Sequence, residues 1–375
     1  MKSNNVTIDN LFFELIRVSI GVSGFLSKTP TNEEWKALYE IAKKQSLVGV
    51  CFAGVHRLAV QKQEPPEMLY LTWMGMAAKI QQRNEIVNQQ CAELQAKLSA
   101  DGFRSCILKG QGVGQQYAKH LRGLRQSGDI DVWIEGGLSA VLQLAEKYGV
   151  KPVVAEHHVD LPVFDLTEVE AHFTPSYLRC PWHNRRLQRW FEEKASIQFG
   201  NRNENGWCVP TTEFNLVFLM LHAFRHLTSE GVGLRQVMDY YFVLRTSYEN
   251  ENQNTSTGSA QAENLLQTMK SLGLMKFAGA MMYVLQEVFG MKRDELLSEP
   301  DVEEGRYLLN EIMTGGNFGH YDNRVKVAAN ESKMTRYLRQ TKRNMHQLTH
   351  YPTEAFFSPW WRAKIWVWRK RNGWI

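Results

Sequence analysis

The sequence predicts an α+β fold, in which an α/β unit over residues 101–210 is flanked by helical regions at 1–100 and 211–375. Two observations support this prediction. Apolar residues recur at helical spacing on both sides of the unit, and within it short apolar runs alternate with helical stretches. A chain of 375 residues is also long enough to bury more than one sizeable core.

The first region carries two long helical patterns. One begins at Thr31 or Asn32, either of which can cap a helix N-terminus, and the other ends near Gly102. The opening residues favour an amphipathic helix over a signal peptide, because Glu14 and Arg17 interrupt the apolar part and no compact basic segment precedes it.

The α/β unit begins where the pattern changes at residue 103. Its predicted elements are, in order, a strand in RSCILKG, a helix in QGVGQQYAKHLRGL, a strand in DIDVWIE, a helix in LSAVLQLAEKYG, and extended segments in KPVVAEHHVDLPVF and EVEAHFTPS. In the helical region that follows, the polar segment 248–264 predicts a flexible loop.

Composition indicates a globular protein, with 43% hydrophobic and 22% charged residues. No apolar run reaches the roughly 18 residues that a membrane-spanning helix needs. The five cysteines are scattered and form no C-x-x-C pair. This pattern predicts reduced thiols in a cytoplasmic protein and argues against a disulfide or zinc framework.

The net charge of +5 is concentrated at the C-terminal end. Residues 331–375 contain ten Lys and Arg against two acids, and FFSPWWRAKIWVWRKRNGWI interleaves basic residues with five tryptophans. Such an end suggests an acidic partner, because tryptophans with cations are typical of membrane-surface helices and nucleic-acid grooves. A terminal helix docked through its tryptophans explains the pattern equally well.

Two acids interrupt the apolar strand in DIDVWIE. Side chains alternate along a strand, so Asp129 and Asp131 project from the same face. Two carboxylates this close repel each other, and a hard divalent cation such as Mg²⁺ or Mn²⁺ relieves the repulsion. In EVEAHF, Glu170 shares a face with His172 and is the candidate third carboxylate, with Asp160 as its competitor. A D-x-D pair alone is weak evidence for a metal site, because strand ends often carry solvated acids.

Several residues near the acids are candidates for nucleotide binding. Gly110 opens a turn before a predicted helix, where free backbone N–H groups can hold phosphate oxygens, and Lys109 beside it could contact a phosphate. Arg125 suits bidentate phosphate contact, and Ser127 could bond the metal ligands or the nucleotide. A plain turn glycine with solvated basic residues is the alternative interpretation.

Histidines and an arginine farther along extend the candidate set. His172 could orient Glu170 or touch a phosphate, and His222 and Arg235 belong to a helical block that could close over the nucleotide. His222 and His226 have the spacing of a metal pair but lack the glutamate of the H-E-x-x-H motif, which argues against a zinc protease. A polar network between two helices is the alternative.

Several blocks in order resemble a known family. The strand before Lys109 and Gly110, the R-x3-DID segment and the V-E-x-H-F strand are similar to the bacterial uncharacterised nucleotidyltransferase family of the polymerase-beta superfamily. The downstream blocks 184–191, 221–241 and 308–324 extend the resemblance. One departure concerns the first turn, since the superfamily usually has Gly-Ser or Gly-Gly and a short gap, whereas here 18 residues separate Gly110 from Asp129.

The resemblance implies a nucleotidyltransferase-type mixed β-sheet core in which paired acids bind metal. It also implies transfer of a nucleoside monophosphate from a nucleoside triphosphate to an acceptor hydroxyl by a two-metal mechanism, with release of pyrophosphate. The acceptor is left open among a small molecule, a sugar, a protein and RNA. The competing hypothesis is a catalytically degenerate protein that binds nucleotide, RNA or a membrane surface through its basic end.

Overall fold

A computed structural model of the chain describes residues 7–253, 258–324 and 344–374, together with residues 335, 337 and 341. The N-terminal region forms four helices, α1 (Ile8–Ile20), α2 (Asn32–Lys44), α3 (Val48–Val60) and α4 (Glu67–Ala100). Thr31 caps α2: its hydroxyl accepts from the Glu34 backbone N–H, and the Glu34 carboxylate accepts from the Thr31 N–H. The structure confirms the predicted helical character of this region.

The α/β unit contains a four-stranded mixed sheet. Its elements are β1 (Ser105–Ile107), α5 (Gln111–Gly114), β2 (Ile130–Ile134), α6 (Gly137–Lys147), β3 (His158–Leu161) and β4 (Val169–His172). The strand order is β1-β2-β4-β3; β2 and β4 are parallel, and the two outer pairs are antiparallel. This arrangement confirms the predicted mixed sheet.

The helix predicted over 111–124 is wrong for most of its length. Only α5 and a 3-10 turn at Arg122–Leu124 are helical there. Gly112 lies so close to β1 that a Cβ on it would stand 2.3 Å from the Ile107 carbonyl oxygen. Tertiary packing of this segment therefore outweighs its helical pattern, and the chain turns into an irregular stretch before the acids.

The remainder of the described chain is helical. Its elements are α7 (Pro181–Gln198), α8 (Thr212–Ser229), α9 (Leu234–Gln253), α10 (Gly258–Ser271), α11 (Met275–Phe289), α12 (Val302–Gly315) and α13 (Pro352–Arg371), with 3-10 turns at Arg293–Glu295 and Asn317–Gly319. Among the helices that the structure describes, none combines the length and hydropathy needed to traverse a bilayer.

The flexible loop predicted over 248–264 is also wrong where the structure describes it. Residues 248–253 continue α9 and residues 258–264 belong to α10, whereas 254–257 lie outside the described residues. A polar composition does not prevent helix formation when Glu, Gln and Ala are frequent. The end of α9 is held by the Tyr248 hydroxyl, which donates to Asp294, and by an ion pair between Arg245 and Glu249.

Helix α4 contributes to two hydrophobic cores, one along each half of its length. The first is built mainly from α1, α2, α3, α8, α9, α11 and α12, and it receives Trp73 and Ile80 from the first half of α4. The second fills the space between the sheet, α6 and the second half of α4, which contributes Val87 and Leu94. The five cysteines are buried and unbonded, while the cytoplasmic location stays a prediction.

Helix α13 uses part of its tryptophans for docking. Trp361 stacks on Tyr177 with ring centroids 5.1 Å apart, and Trp368 and Trp374 pack against the second core. Trp360 and Trp366 remain exposed. The docked-helix interpretation therefore accounts for three of the five tryptophans. The five basic residues between 331 and 343 lie outside the described residues.

Candidate active site

The central carboxylates lie on the two parallel strands. In the register of β2 and β4, Asp131 is directly opposite Glu170, and Trp133 is opposite His172. Ligand atoms of Asp131, Glu170 and His172 all lie within 4.8 Å of one another. Ile130 and Val132 point to the other face and are buried in the second core. Strand pairing thus brings Asp131 of one strand next to Glu170 of the other.

Asp129 and Asp160 occupy different positions around this pair. Asp129 immediately precedes β2, and its carboxylate is about one-third exposed and lies 3.9 Å from the Lys109 ammonium. Asp160 is also in register with Glu170, but on the outer strand β3, where its side chain is 69% exposed. Of the two candidates for the third carboxylate, Glu170 is therefore the one that lies beside Asp131.

Lys109 is the cation of the site. Its ammonium lies 3.0 Å from Asp131 Oδ1 and is largely buried. Burial alone would lower the pKa of Lys109, but the charges of Asp131, Asp129 and Glu170 outweigh it and raise this pKa. The lysine thus stays protonated and offsets the repulsion between carboxylates that sequence reasoning assigned to a metal ion.

The turn after Lys109 requires glycine. Gly110 has φ +62° and ψ −112°, a combination that L-residues rarely adopt. The turn is fixed to β2 by the Leu108 N–H, which donates to the Asp131 carbonyl oxygen at 2.9 Å. This bond holds Lys109 next to the acids and leaves Gly110 on the wall of the cleft.

His172 links the two central acids. Its Nε2 lies 3.0 Å from Asp131 Oδ1 and 3.2 Å from Glu170 Oε2. Burial opposes the charged form of His172, but these hydrogen bonds and charges raise its pKa to about 9. Burial likewise raises the pKa of Glu170, whereas His172, His158 and Lys109 lower it to about 2. Glu170 is therefore an anion at neutral pH, as an oxygen ligand must be.

A cleft opens in front of the acids. Its walls come from three separate parts of the chain: the segment from Lys109 to Asp131, the helices α8 and α9 through His222 and Arg235, and the 3-10 turn through Phe318. Phe318 has φ +54° and ψ +23°, which is rare for a bulky residue. Backbone strain of this kind is common at binding sites.

The cleft-lining helices hold two of the predicted nucleotide-binding residues. Arg235 donates to the Gln126 carbonyl oxygen and its guanidinium lies 5.4 Å from the Phe318 ring centroid. Its buried Nε has no hydrogen-bond partner among the described residues. Burial and then the charge of Arg125 lower the pKa of Arg235 to about 10. His222 is buried, with its Nε2 3.1 Å from the Nε2 of His226.

Arg125 borders the cleft, but its guanidinium is engaged elsewhere. Its Nε and Nη2 donate to the two oxygens of Asp239 on α9, both at 2.7 Å, and the Tyr117 hydroxyl donates to Asp239 at 2.6 Å. All three side chains are buried. This network ties α9 to the segment that leads into the acids. Ser127, on that segment, has a buried hydroxyl without a hydrogen-bond partner among the described residues.

The comparison with family models decides the relationship. The model described as an uncharacterised nucleotidyltransferase matches residues 31–290, more than two thirds of the chain. The chain belongs to the uncharacterised nucleotidyltransferase family. The matched region contains the four strands and both cleft-lining helices, whereas the block at 308–324, which also resembled the family, and α13 lie beyond it. A search of curated proteins and a search of solved structures each found no match.

Sequence reasoning missed two features of this candidate site. Lys109 was assigned to a phosphate, but here it pairs with the acids. His157 and His158 were overlooked, although both rings pack against His172. The consecutive histidines in KPVVAEHHVDLPVF were the available signal, but only strand pairing shows that they meet the acid-bearing strand.

Proposed function

We propose that this member of the family transfers a nucleoside monophosphate from a nucleoside triphosphate to an acceptor hydroxyl, with Mg²⁺ or Mn²⁺ as the cofactor. The observation that carries the proposal is the register of the two parallel strands, which aligns Asp131 with Glu170 beside Asp129. Family membership supports a transferase of nucleotides.

The donor set fits a hard divalent cation. Asp131 and Glu170 offer carboxylate oxygens within 4.8 Å of each other, and Asp129 lines the same cleft as Asp131. The buried ammonium of Lys109 already lies against these acids, which supports the view that their negative charges must be compensated by a cation. Asp129, Asp131 and Glu170 would hold the metal, which when bound would activate the acceptor hydroxyl and offset charge at the α-phosphorus.

The other residues would bind and orient the nucleotide. Lys109, displaced from the acids, would reach the triphosphate, whose oxygens would also contact the backbone at Gly110. The unused Nε of Arg235 is a further donor for phosphate, and Phe318 offers a ring against which a base could stack. Ser127, next to the cleft-lining Gly128, has a buried hydroxyl without a hydrogen-bond partner among the described residues and would bond the nucleotide or the metal ligands after a local movement.

The remaining predicted residues would act on these groups. His172 would keep Asp131 and Glu170 in place through its Nε2, and His222 would shape the wall of the cleft from α8. We propose that Arg125 positions the segment before the acids. Its guanidinium already donates two hydrogen bonds to the Asp239 carboxylate, so contact with a nucleotide would require this ion pair to break.

The test is release of pyrophosphate when the purified chain is incubated with each nucleoside triphosphate, Mg²⁺ and cell extract. Asp131→Asn should lower the rate at least about 100-fold, since even partners outside the ligand shell of a metal contribute 10–100-fold. Asp160→Asn is the matched control, because this carboxylate is exposed on the neighbouring strand, and it should retain the wild-type rate. If the wild type and Asp131→Asn release pyrophosphate at the same background rate, the proposed enzymatic activity is refuted.

The competing function is binding without catalysis through α13. The exposed Trp360 and Trp366 on a basic helix are the observation in its favour, since such residues suit an acidic surface. Binding to anionic vesicles or RNA that survives Asp131→Asn but disappears in a Trp360→Ala, Trp366→Ala double variant would support it, provided that pyrophosphate release is absent.

If the wild type does release pyrophosphate, fractionating the extract by size and by nuclease or protease treatment would define the class of acceptor.

A further inference from the structure

Three histidine rings meet behind the acids of the site. The antiparallel register of β3 and β4 places His158 opposite His172, and His157 directly precedes β3. The ring centroids are 4.8 Å apart for His157 and His158, 4.7 Å for His157 and His172, and 5.4 Å for His158 and His172. One ring nitrogen from each residue lies within 4.8 Å of the other two.

Each of these rings has a buried nitrogen without a hydrogen-bond partner among the described residues. His157 is 4% exposed and His172 is 1% exposed. Within the described part of the chain, the Nδ1 atoms of His157, His158 and His172 are buried and have no hydrogen-bond partner. His158 Nδ1 lies 3.4 Å from Glu170 Oε2, but without the geometry of a hydrogen bond. Buried polar atoms without partners cost free energy, so a cluster of three calls for a ligand.

His172 has the arrangement typical of a metal ligand. Its Nε2 faces Asp131 and Glu170, so Nδ1 is the nitrogen that can donate a lone pair to a metal, which would displace the proton from it. Metal-binding histidines commonly direct their other ring nitrogen to a carboxylate, which fixes the tautomer and the orientation of the ring. In this protein two carboxylates, those of Asp131 and Glu170, already lie within hydrogen-bond distance of the other nitrogen of His172.

We propose that His157, His158 and His172 form a site for a transition-metal ion of the Zn²⁺ class, separate from the oxygen-lined site for Mg²⁺. Imidazole nitrogens suit Zn²⁺, whereas Mg²⁺ and Mn²⁺ favour oxygen ligands. In a tetrahedral site with Zn–N distances of about 2.0–2.1 Å, neighbouring nitrogens are about 3.4 Å apart. From separations of up to 4.8 Å, the rings would close by at most about 1.4 Å.

The site would stabilise the sheet rather than perform the transfer. A metal held by all three rings would cross-link β3 to β4 and, through the Nε2 of His172, would fix Asp131 and Glu170. The proposal goes beyond the nucleotidyl transfer and does not depend on it, since metal content can be measured without any substrate.

The test is zinc binding by the full chain after treatment with a chelator, measured by elemental analysis after dialysis against Zn²⁺ with excess Mg²⁺. The wild type should retain one Zn²⁺ per chain. His157→Gln and His158→Gln should each weaken zinc binding at least about 10-fold, as loss of a ligand exceeds loss of an outer partner. His120→Gln, an exposed histidine, and Asp129→Asn, an acid outside the triad, should retain zinc.

Substitution of Co²⁺ in the unmodified protein provides a readout that needs no variant. Four-coordinate Co²⁺ with nitrogen ligands absorbs strongly in the visible range, and six-coordinate Co²⁺ among oxygens absorbs weakly. A weak spectrum, a wild type without zinc, or zinc lost in Asp129→Asn but kept in His157→Gln would overturn the proposal. Failure of the proposed transfer is distinguishable, because it would appear as absent pyrophosphate release with the zinc results unchanged.

Discussion

The buried pair of Arg125 and Asp239 is the most demanding electrostatic feature near the cleft. Both oxygens of Asp239 are occupied by the guanidinium, and the Tyr117 hydroxyl adds a third bond. Asp239→Asn keeps the shape of the side chain but leaves the Arg125 charge without compensation in the interior. Since removal of one partner of a buried ion pair costs roughly 3–5 kcal/mol, this variant should be clearly destabilised.

The expected shift in melting temperature follows from chain length. Globular proteins unfold with an entropy of about 2.1 cal/mol/K per residue, which for this chain amounts to roughly 0.8 kcal/mol/K. A loss of about 3–5 kcal/mol therefore lowers the Tm by about 4–6 °C. The double variant Arg125→Met, Asp239→Leu should recover most of this, except for about 1 kcal/mol because Tyr117 loses its acceptor.

Differential scanning calorimetry of the wild type, the single variant and the double variant measures these shifts. Glu299→Gln is the matched control, because it breaks an ion pair with Arg293 in which both side chains are about three-quarters exposed. Exposed pairs contribute little, so its Tm should stay at the wild-type value. An Asp239→Asn variant that melts within 1 °C of the wild type, or a double variant no more stable than the single one, would refute the reasoning.

Two further predictions concern packing and pH. Gly112→Ala should lower the free energy of unfolding by about 1–3 kcal/mol in urea titrations, because its Cβ would stand 2.3 Å from the Ile107 carbonyl oxygen. Gly114→Ala is the control, because a Cβ at this position would meet no neighbouring group within 4 Å, and its free energy of unfolding should stay at the wild-type value. Without divalent metal, the raised pKa of His172, about 9, should stabilise the fold fully below pH 6.5 and lose up to about 3 kcal/mol as the pH rises through 9. Urea titrations across this range should show the fall in the wild type, and an equal fall in His172→Asn would contradict the assignment.

Local patterns predicted what depends on side-chain periodicity. Alternation along a strand suffices to place Asp129 and Asp131 on one face and Ile130 and Val132 in the core, and the structure confirms the burial of the latter pair. Apolar spacing and a cap at Thr31 predicted the helical character of the N-terminal region, but not the break between α2 and α3. These features are determined by neighbours in the sequence, so the sequence alone carries them.

Features that depend on strand order were not predictable. The sequence favours Glu170 as the partner of Asp131 but leaves Asp160 as a competitor until the order β1-β2-β4-β3 places β4 between β2 and β3. The pairing of His158 with His172 depends on the same order. The wrong helix at 111–124 has a similar cause, since packing of Gly112 against β1 outweighed the local helical pattern. The wrong loop at 248–264 has a different one, since polar composition was taken for a loop although Glu, Gln and Ala favour helix.

Helix α4 has a consequence for any attempt to excise the sheet. Its 34 residues extend over about 51 Å, and one end contributes to the helical core while the other covers the sheet. A fragment that starts at residue 101 would expose the apolar surface that Val87 and Leu94 now cover, and would tend to aggregate. Because the single helix α4 contributes side chains to both hydrophobic cores, we expect residues 31–290, the region that matches the family, to unfold as one cooperative unit.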